Sequence, residues 1–144
     1  MTLRVIAAVS GLYDVLLGLA MLGGRPLLAA LFGVAEPVPP IHADLNGLFL
    51  LAIGAGYWLP WRDPDRYRGY LWVMGPGMKG AGALLFVADH LLRSSPAAYL
   101  LFALTDGTLA LLTLWALLRH RHAQRLSTSR SRVAATRTAG SPRR

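Results

Sequence analysis

Hydrophobic residues in this chain fall into long runs separated by short polar stretches. A helix needs about 20 predominantly apolar residues to cross the hydrocarbon of a bilayer. Four runs have this length, and none carries the broad charged face that a helix of a soluble bundle turns to water. The pattern therefore predicts an all-α integral membrane protein, an antiparallel four-helix bundle. The predicted helices cover about residues 3–22, 41–61, 70–92 and 97–118.

The first run ends at Gly23-Gly24-Arg25-Pro26, and the shorter apolar piece Leu27 to Phe32 follows it. We expect this piece to lie at the membrane interface. A cleavable signal peptide is the alternative for the first run. A single early arginine, Asp14 in the middle of the run and the lack of a clear small-residue cleavage site favour a retained helix.

Composition agrees with a membrane protein and shows where the positive charge lies. The 144 residues are 54% hydrophobic and carry a net charge of +8, and eight of the fourteen arginines fall at or after Arg119. We therefore expect a helical domain over 1–119 and a disordered basic tail over 120–144. The tail has no aromatic residues for base stacking, so no nucleic-acid partner is predicted. A polybasic segment held against anionic lipid is the alternative.

Arginine placement predicts the topology. With the N-terminus inside, the cytoplasmic side receives Arg4, Arg62, Arg66, Arg68 and the tail, while the other side receives two arginines, Arg25 and Arg93. Aromatic residues between 57 and 72 crowd the same cytoplasmic boundary. The prediction is a multi-pass protein of the bacterial inner membrane with both termini cytoplasmic.

Each predicted helix carries an ionisable residue, and small residues indicate which way it faces. Small residues three or four positions from each charge put the charge on the side where neighbouring backbones come close. We therefore expect a buried polar centre of Asp14, Asp44, Lys79 and Asp106. Tyr13, Asn46 and Thr105 are predicted to line it.

The charge balance of this predicted centre leaves two interpretations open. One is an ion-pair network that fixes the register of the helices. In the other, the two carboxylates that the single lysine leaves over hold protons, or bind a positive or hydrogen-bonding ligand, as intramembrane charges in ligand sites and proton relays do.

Known catalytic and metal motifs are weak or absent. Two histidines and two carboxylates, His42, Asp44, Asp89 and His90, fall at the predicted outer face, but residues one or two apart do not share a helix face. No metal site is predicted. There is no cysteine, and the sequence Gly75-Pro76-Gly77-Met78-Lys79-Gly80 has neither the ending nor the preceding strand of a phosphate-binding loop.

Residues of the first helix carry a family likeness. An early Leu3-Arg4-Val5-Ile6, then Gly11-Leu12-Tyr13-Asp14 and Leu17-Gly18-Leu19, with glycine-rich second and third helices, resembles the small bacterial DoxX-like membrane proteins. The resemblance covers roughly 3–118 and implies the four-helix fold. Some members of that group are named for quinone-linked sulfur oxidation or for membrane oxidoreductase systems, as accessory subunits.

These observations predict a non-catalytic binding or accessory subunit whose polar centre holds a quinone-like or lipid ligand. A larger membrane complex or a homodimer is the expected assembly, and no particular cofactor is indicated. One alternative is a membrane-embedded isomerase or hydrolase with two carboxylates beside a cavity that opens to lipid. Another is a small proton-coupled carrier, expected to be a dimer.

Overall fold

The computed structural model describes the backbone of residues 2–139 and the side chains of residues 2–120. This part of the chain is all helical and contains no strand. A π-helical segment, Val73–Lys79, joins α5 to α6, and a 3₁₀ turn, Ala97–Tyr99, precedes α7. The helices are α1 Leu3–Gly23, α2 Arg25–Phe32, α3 Ile41–Gly56, α4 Trp58–Arg62, α5 Arg68–Trp72, α6 Gly80–Arg93 and α7 Leu100–Ala139.

The second predicted helix is interrupted. α3 ends at Gly56 and α4 begins at Trp58, because Pro60 has no N–H to donate to the Gly56 carbonyl one turn earlier. α3 has 16 residues, so it is roughly 24 Å long at 1.5 Å per residue. Among the described helices, three are long and apolar enough to cross a membrane, Leu3–Gly23, Arg68–Arg93 and Ala97–His120.

The middle of the third predicted helix departs from α-helical geometry. Its π-helical segment contains Pro76, ends at Lys79 and buries Gly75 and Lys79. Proline cannot donate the backbone hydrogen bond of an α-helix at its position, and π turns are a known response to such interruptions. A Cβ added to Gly75 would lie 2.5 Å from Cγ2 of Thr113, so this segment lies very close to α7.

α1 and α3 run side by side along a seam of four glycines. A Cβ on Gly54 would lie 2.8 Å from the carbonyl oxygen of Gly11. Two helical turns further along α1, a Cβ on Gly18 would lie 2.7 Å from the carbonyl oxygen of Gly47. The two pairs are seven residues apart on each helix and in opposite order, which fixes the antiparallel register.

The tightest packing lies at one end of the molecule, which we call the basic end because Arg4, Arg68 and Arg119 lie there. Tyr57 from the α3–α4 junction stacks edge-on against Tyr70, with ring centroids 5.2 Å apart. The buried core at this end consists of Leu3, Ile6, Ala7, Tyr57, Leu71, Ala116 and Leu117. Towards the opposite end α1 packs along α3, and α6 packs on α7.

Polarity in this fold is inverted relative to a water-soluble protein. Leu12 is 61% exposed and Leu92 is 83% exposed, whereas Asp14 is 1% exposed and Lys79 is 7% exposed. In water such a surface would be a large continuous apolar patch. The three long helices have the length and composition to cross a membrane.

The predicted basic tail begins inside α7. Its backbone remains helical to Ala139, and the side chains after His120 lie outside the described residues, as do residues 140–144 altogether. The disordered tail of 120–144 therefore stays a prediction.

Candidate functional site

Lys79 lies between two carboxylates from different helices. Its Nζ donates to Asp14 Oδ1 of α1 at 2.6 Å and to Asp106 Oδ1 of α7 at 3.2 Å. The π-helical segment that carries Lys79 packs against α7, which brings Lys79 to Asp106. Three of the four predicted charges therefore form one cluster, and we call Asp14, Lys79 and Asp106 the charged triad.

A tyrosine completes the surroundings of Lys79. Its Nζ lies 4.8 Å from the ring centroid of Tyr13, in the geometry of a cation–π contact. The Thr105 hydroxyl donates to the Leu101 carbonyl at 2.9 Å, so its oxygen accepts from the Tyr13 hydroxyl, also at 2.9 Å. Two of the predicted lining residues, Tyr13 and Thr105, thus lie at the triad, and they connect α1 to α7.

Behind the triad lie three buried polar atoms, Asp14 Oδ2, the Ser10 hydroxyl and the Tyr57 hydroxyl. Asp14 Oδ2 has no hydrogen-bond partner among the described residues, whereas the Ser10 and Tyr57 hydroxyls are close enough to interact with each other. Ser10 lies four residues before Asp14, on the same face of α1, and Asp14 is close enough to Tyr57 to interact with it electrostatically. Two donors and one acceptor are thus grouped on the buried side of the triad.

Asp44 does not belong to the triad, contrary to the sequence-based expectation. It forms an ion pair with Arg25 of α2. The register of the glycine seam explains why Asp44 lies apart from the triad. It places Asp44 level with Met21 of α1, and Asp14 level with Leu51 of α3. Seven residues of helix, about 10 Å, therefore separate the levels of the two aspartates. With Asp44 paired, the triad has two carboxylates and one cation, so one carboxylate is left over rather than two.

A cavity of about 580 Å³ adjoins the triad. It lies towards the end opposite the basic end, between the α1–α3 pair and the α6–α7 pair, with α2 and residues 34–37 along one side. Asn46, Phe49, Leu50 and Ile53 contribute one face of α3 to its wall. Among the described residues, Asp106 is the one carboxylate in its lining, so the cavity meets the triad at that residue.

Aromatic rings from four elements gather beside Asp106. Phe102 lies one turn before Asp106 on α7, with its ring centroid 5.0 Å from that of Phe32 and 5.4 Å from that of Phe86. Tyr99 joins them at 6.4 Å from Phe102. We call Phe32, Phe86, Tyr99 and Phe102 the aromatic cluster, and all four line the cavity. A large apolar wall with one convergent acid is typical of a small-molecule site.

The weak metal candidates are dispersed. Asp89 pairs with Arg93 at 3.0 Å, His90 Nδ1 lies 2.7 Å from the Ser95 carbonyl oxygen, and His42 is exposed. Asp44 is held by Arg25. Among the described residues, no group of three or more His, Cys, Asp or Glu side chains is placed to hold a metal ion.

Several residues of this site were not singled out from the sequence. Ser10 and Phe102 carried a usable signal, since each lies four residues before a triad carboxylate on the same helix face. Arg25 carried none, because its position depends on how α2 folds back beside α3. Asn46 was predicted, and it lines the cavity rather than contacting the triad.

Comparisons of the chain with protein-family models, with curated proteins and with solved structures found no match, so the resemblance to DoxX-like membrane proteins stays a prediction from the sequence pattern alone.

Proposed function

We propose that this protein is a four-span inner-membrane protein, a four-helix bundle that binds a lipophilic small molecule in the cavity beside Asp106 without transforming it. The observation that carries the proposal is a single carboxylate, backed by a buried lysine, in the wall of an otherwise largely apolar cavity of about 580 Å³. Apolar walls favour a greasy ligand, and the acid orients its polar head. A quinone-like molecule and a lipid have this chemistry.

The spanning role of α3 is part of the proposal. α3 and α4 together cover Ile41–Arg62, which is long enough to cross the hydrocarbon although α3 alone is short. Exposed leucines along α1, α6 and α7 support a lipid-facing surface. Both termini lie on the cytoplasmic side in this arrangement, as the gathering of Arg4, Arg68 and Arg119 at one end favours.

An enzyme with paired carboxylates is less well supported. That function requires two acids beside the cavity to act as acid and base, whereas Asp106 alone lines it and Asp14 is buried behind Lys79. A proton-coupled carrier is the second candidate, because the triad holds more carboxylates than cations. It requires a dimer to enclose a pathway, so a stable monomer in mild detergent argues against it.

The test of binding uses the cavity wall and leaves the charges intact. Ala29 lines the cavity, while its neighbour Ala30 is exposed and does not. We expect Ala29→Phe to abolish binding of a short-chain ubiquinone analogue, and to remove lipophilic molecules that co-purify after gentle extraction and are detected by mass spectrometry. Ala30→Phe should behave as the unaltered protein. Equal binding by both variants, or none by the unaltered protein, would overturn the proposal.

A further inference from the structure

The charges around the cavity do not balance. Facing it or directly behind it are Asp14 of α1, Arg25 of α2, Asp44 of α3, Lys79 of the π-helical segment and Asp106 of α7. Tyr13 and Tyr57 also face the triad and are neutral. Arg25 neutralises Asp44 and Lys79 neutralises one triad carboxylate. With the three aspartates, Arg25 and Lys79 ionised, one negative charge remains, and its surroundings are largely apolar.

That surplus charge is accessible at Asp106. Lys79 is closer to Asp14, at 2.6 Å, than to Asp106, at 3.2 Å. The Asp14 side chain is 2% exposed, whereas the Asp106 side chain is 19% exposed and lines the cavity. A molecule in the cavity therefore meets Asp106 and does not reach Asp14.

The wall next to Asp106 suits a cation as well. The aromatic cluster lines the same cavity, with Phe102 one turn from the carboxylate. Aromatic faces carry negative electrostatic potential and attract organic cations, most strongly where water is excluded. Arg25 also lines the cavity, but its charge is neutralised by its ion pair with Asp44. The carboxylate of Asp106 and the rings therefore favour a positively charged head over a neutral or negative one.

On these grounds we propose that the cavity binds a lipophilic organic cation at Asp106. This inference rests on the proposed function, that the cavity binds a lipophilic molecule, and assigns the charge of its head. The positive charge of the bound head then balances the surplus charge of the triad.

The experiment compares two probes of nearly equal size and opposite charge, tetraphenylphosphonium and tetraphenylborate, by equilibrium dialysis against the purified protein. We expect the cation to bind on the order of ten-fold or more tightly than the anion, from one charge interaction at protein-like dielectric.

Asp106→Asn isolates the charge. It leaves Lys79 and Asp14 as a balanced pair, so this variant should remain folded and should lose the preference for the cation. Asp106→Glu should keep that preference. The matched control is Asp89→Asn, which removes an acid paired with Arg93 on α6 outside the cavity, and it should also keep the preference for the cation.

Two results overturn the inference. One is tighter or equal binding of the anion, and the other is a preference for the cation that survives in Asp106→Asn. If Ala29→Phe still abolishes binding of the quinone analogue in that case, the proposed function stands and the cation assignment alone is wrong. If no probe and no quinone analogue binds, both fail.

Discussion

At the scale of single residues, Lys79 connects the π-helical segment to both α1 and α7. An ammonium group has three protons to donate, and here the carboxylates of Asp14 and Asp106 and the ring of Tyr13 surround it. Buried charge is costly unless it is paired and hydrogen-bonded. The lysine is therefore needed for stability whether or not a ligand binds.

We expect Lys79→Met to destabilise the detergent-purified protein by about 3–5 kcal/mol, the usual cost of removing one partner of a buried pair. The loss arises because two carboxylates then face each other without a cation. Since lowering the pH protonates them, the gap in melting temperature to the unaltered protein should narrow as the pH falls.

The double variant Lys79→Met/Asp106→Asn provides the control, because removing one of the two carboxylates should restore part of the stability. Arg93→Ala, which breaks an exposed pair on α6, should change the melting temperature little. An unchanged melting temperature for Lys79→Met would refute the structural role of the triad.

The sequence predicted the surroundings of Asp14 and Lys79 better than those of Asp44. Glycines spaced around Asp14 and Lys79 identified the packed faces correctly, since helical spacing converts directly into a shared side. Asp44 was assigned wrongly because position along a helix gives depth only approximately, and a partner from α2 was available to it. Its true partner, Arg25, follows from tertiary structure that local spacing does not encode.

At the scale of elements, the α1–α3 seam depends on having no side chains at its contacts. Gly54→Ala should destabilise the protein by about 1–3 kcal/mol, as overpacking of a tight contact does, because its Cβ would lie 2.8 Å from the Gly11 carbonyl oxygen. Gly23→Ala, where a Cβ meets nothing within 4 Å, is the matched control. Thermal unfolding in detergent measures both, and equal melting temperatures would mean that the seam is not close-packed.

The π-helical segment is the second element that a variant can test. Pro76→Ala restores a backbone N–H, which allows the segment to return to α-helical hydrogen bonding. Removing the extra residue of the π turn would then rotate Lys79 about the helix axis by roughly 100°. We expect a lower melting temperature and weaker binding of the quinone analogue. Pro96→Ala, at an exposed turn before α7, should alter neither, and an unaffected Pro76→Ala protein would show that the proline does not maintain the wide turn.

Hydrophobic pattern predicted the helices well and their irregularities poorly. Run length located the four apolar segments, because burial of a spanning length needs a continuous apolar stretch. It could not reveal the break at Tyr57 or the π turn at Pro76, since each depends on how local hydrogen bonds rearrange around a proline. The cavity was also beyond prediction, because it depends on how far α3 lies from α6 and α7.

At the scale of the whole molecule, positive charge is gathered at one end. Arg4, Pro64 and Arg119 line a second cavity there, of about 480 Å³, and Arg68 contacts His120 nearby. A reporter fused after Arg144 should therefore be active only in the cytoplasm, and one inserted after Glu36 should be active only outside it. Both reporters on the same side would contradict the proposed topology.

The buried hydrophobic core lies at the basic end, and the cavity beside Asp106 lies towards the other end. We therefore expect the basic end to be the more rigid half. A ligand can enter the cavity if the ends of the α1–α3 and α6–α7 pairs that lie far from the basic end move apart, while the buried core around Ile6, Leu71 and Leu117 stays in place. Amide hydrogen exchange should therefore be slowest around these three core residues and fastest beside α2. The difference between the two exchange rates should become smaller when a ligand occupies the cavity.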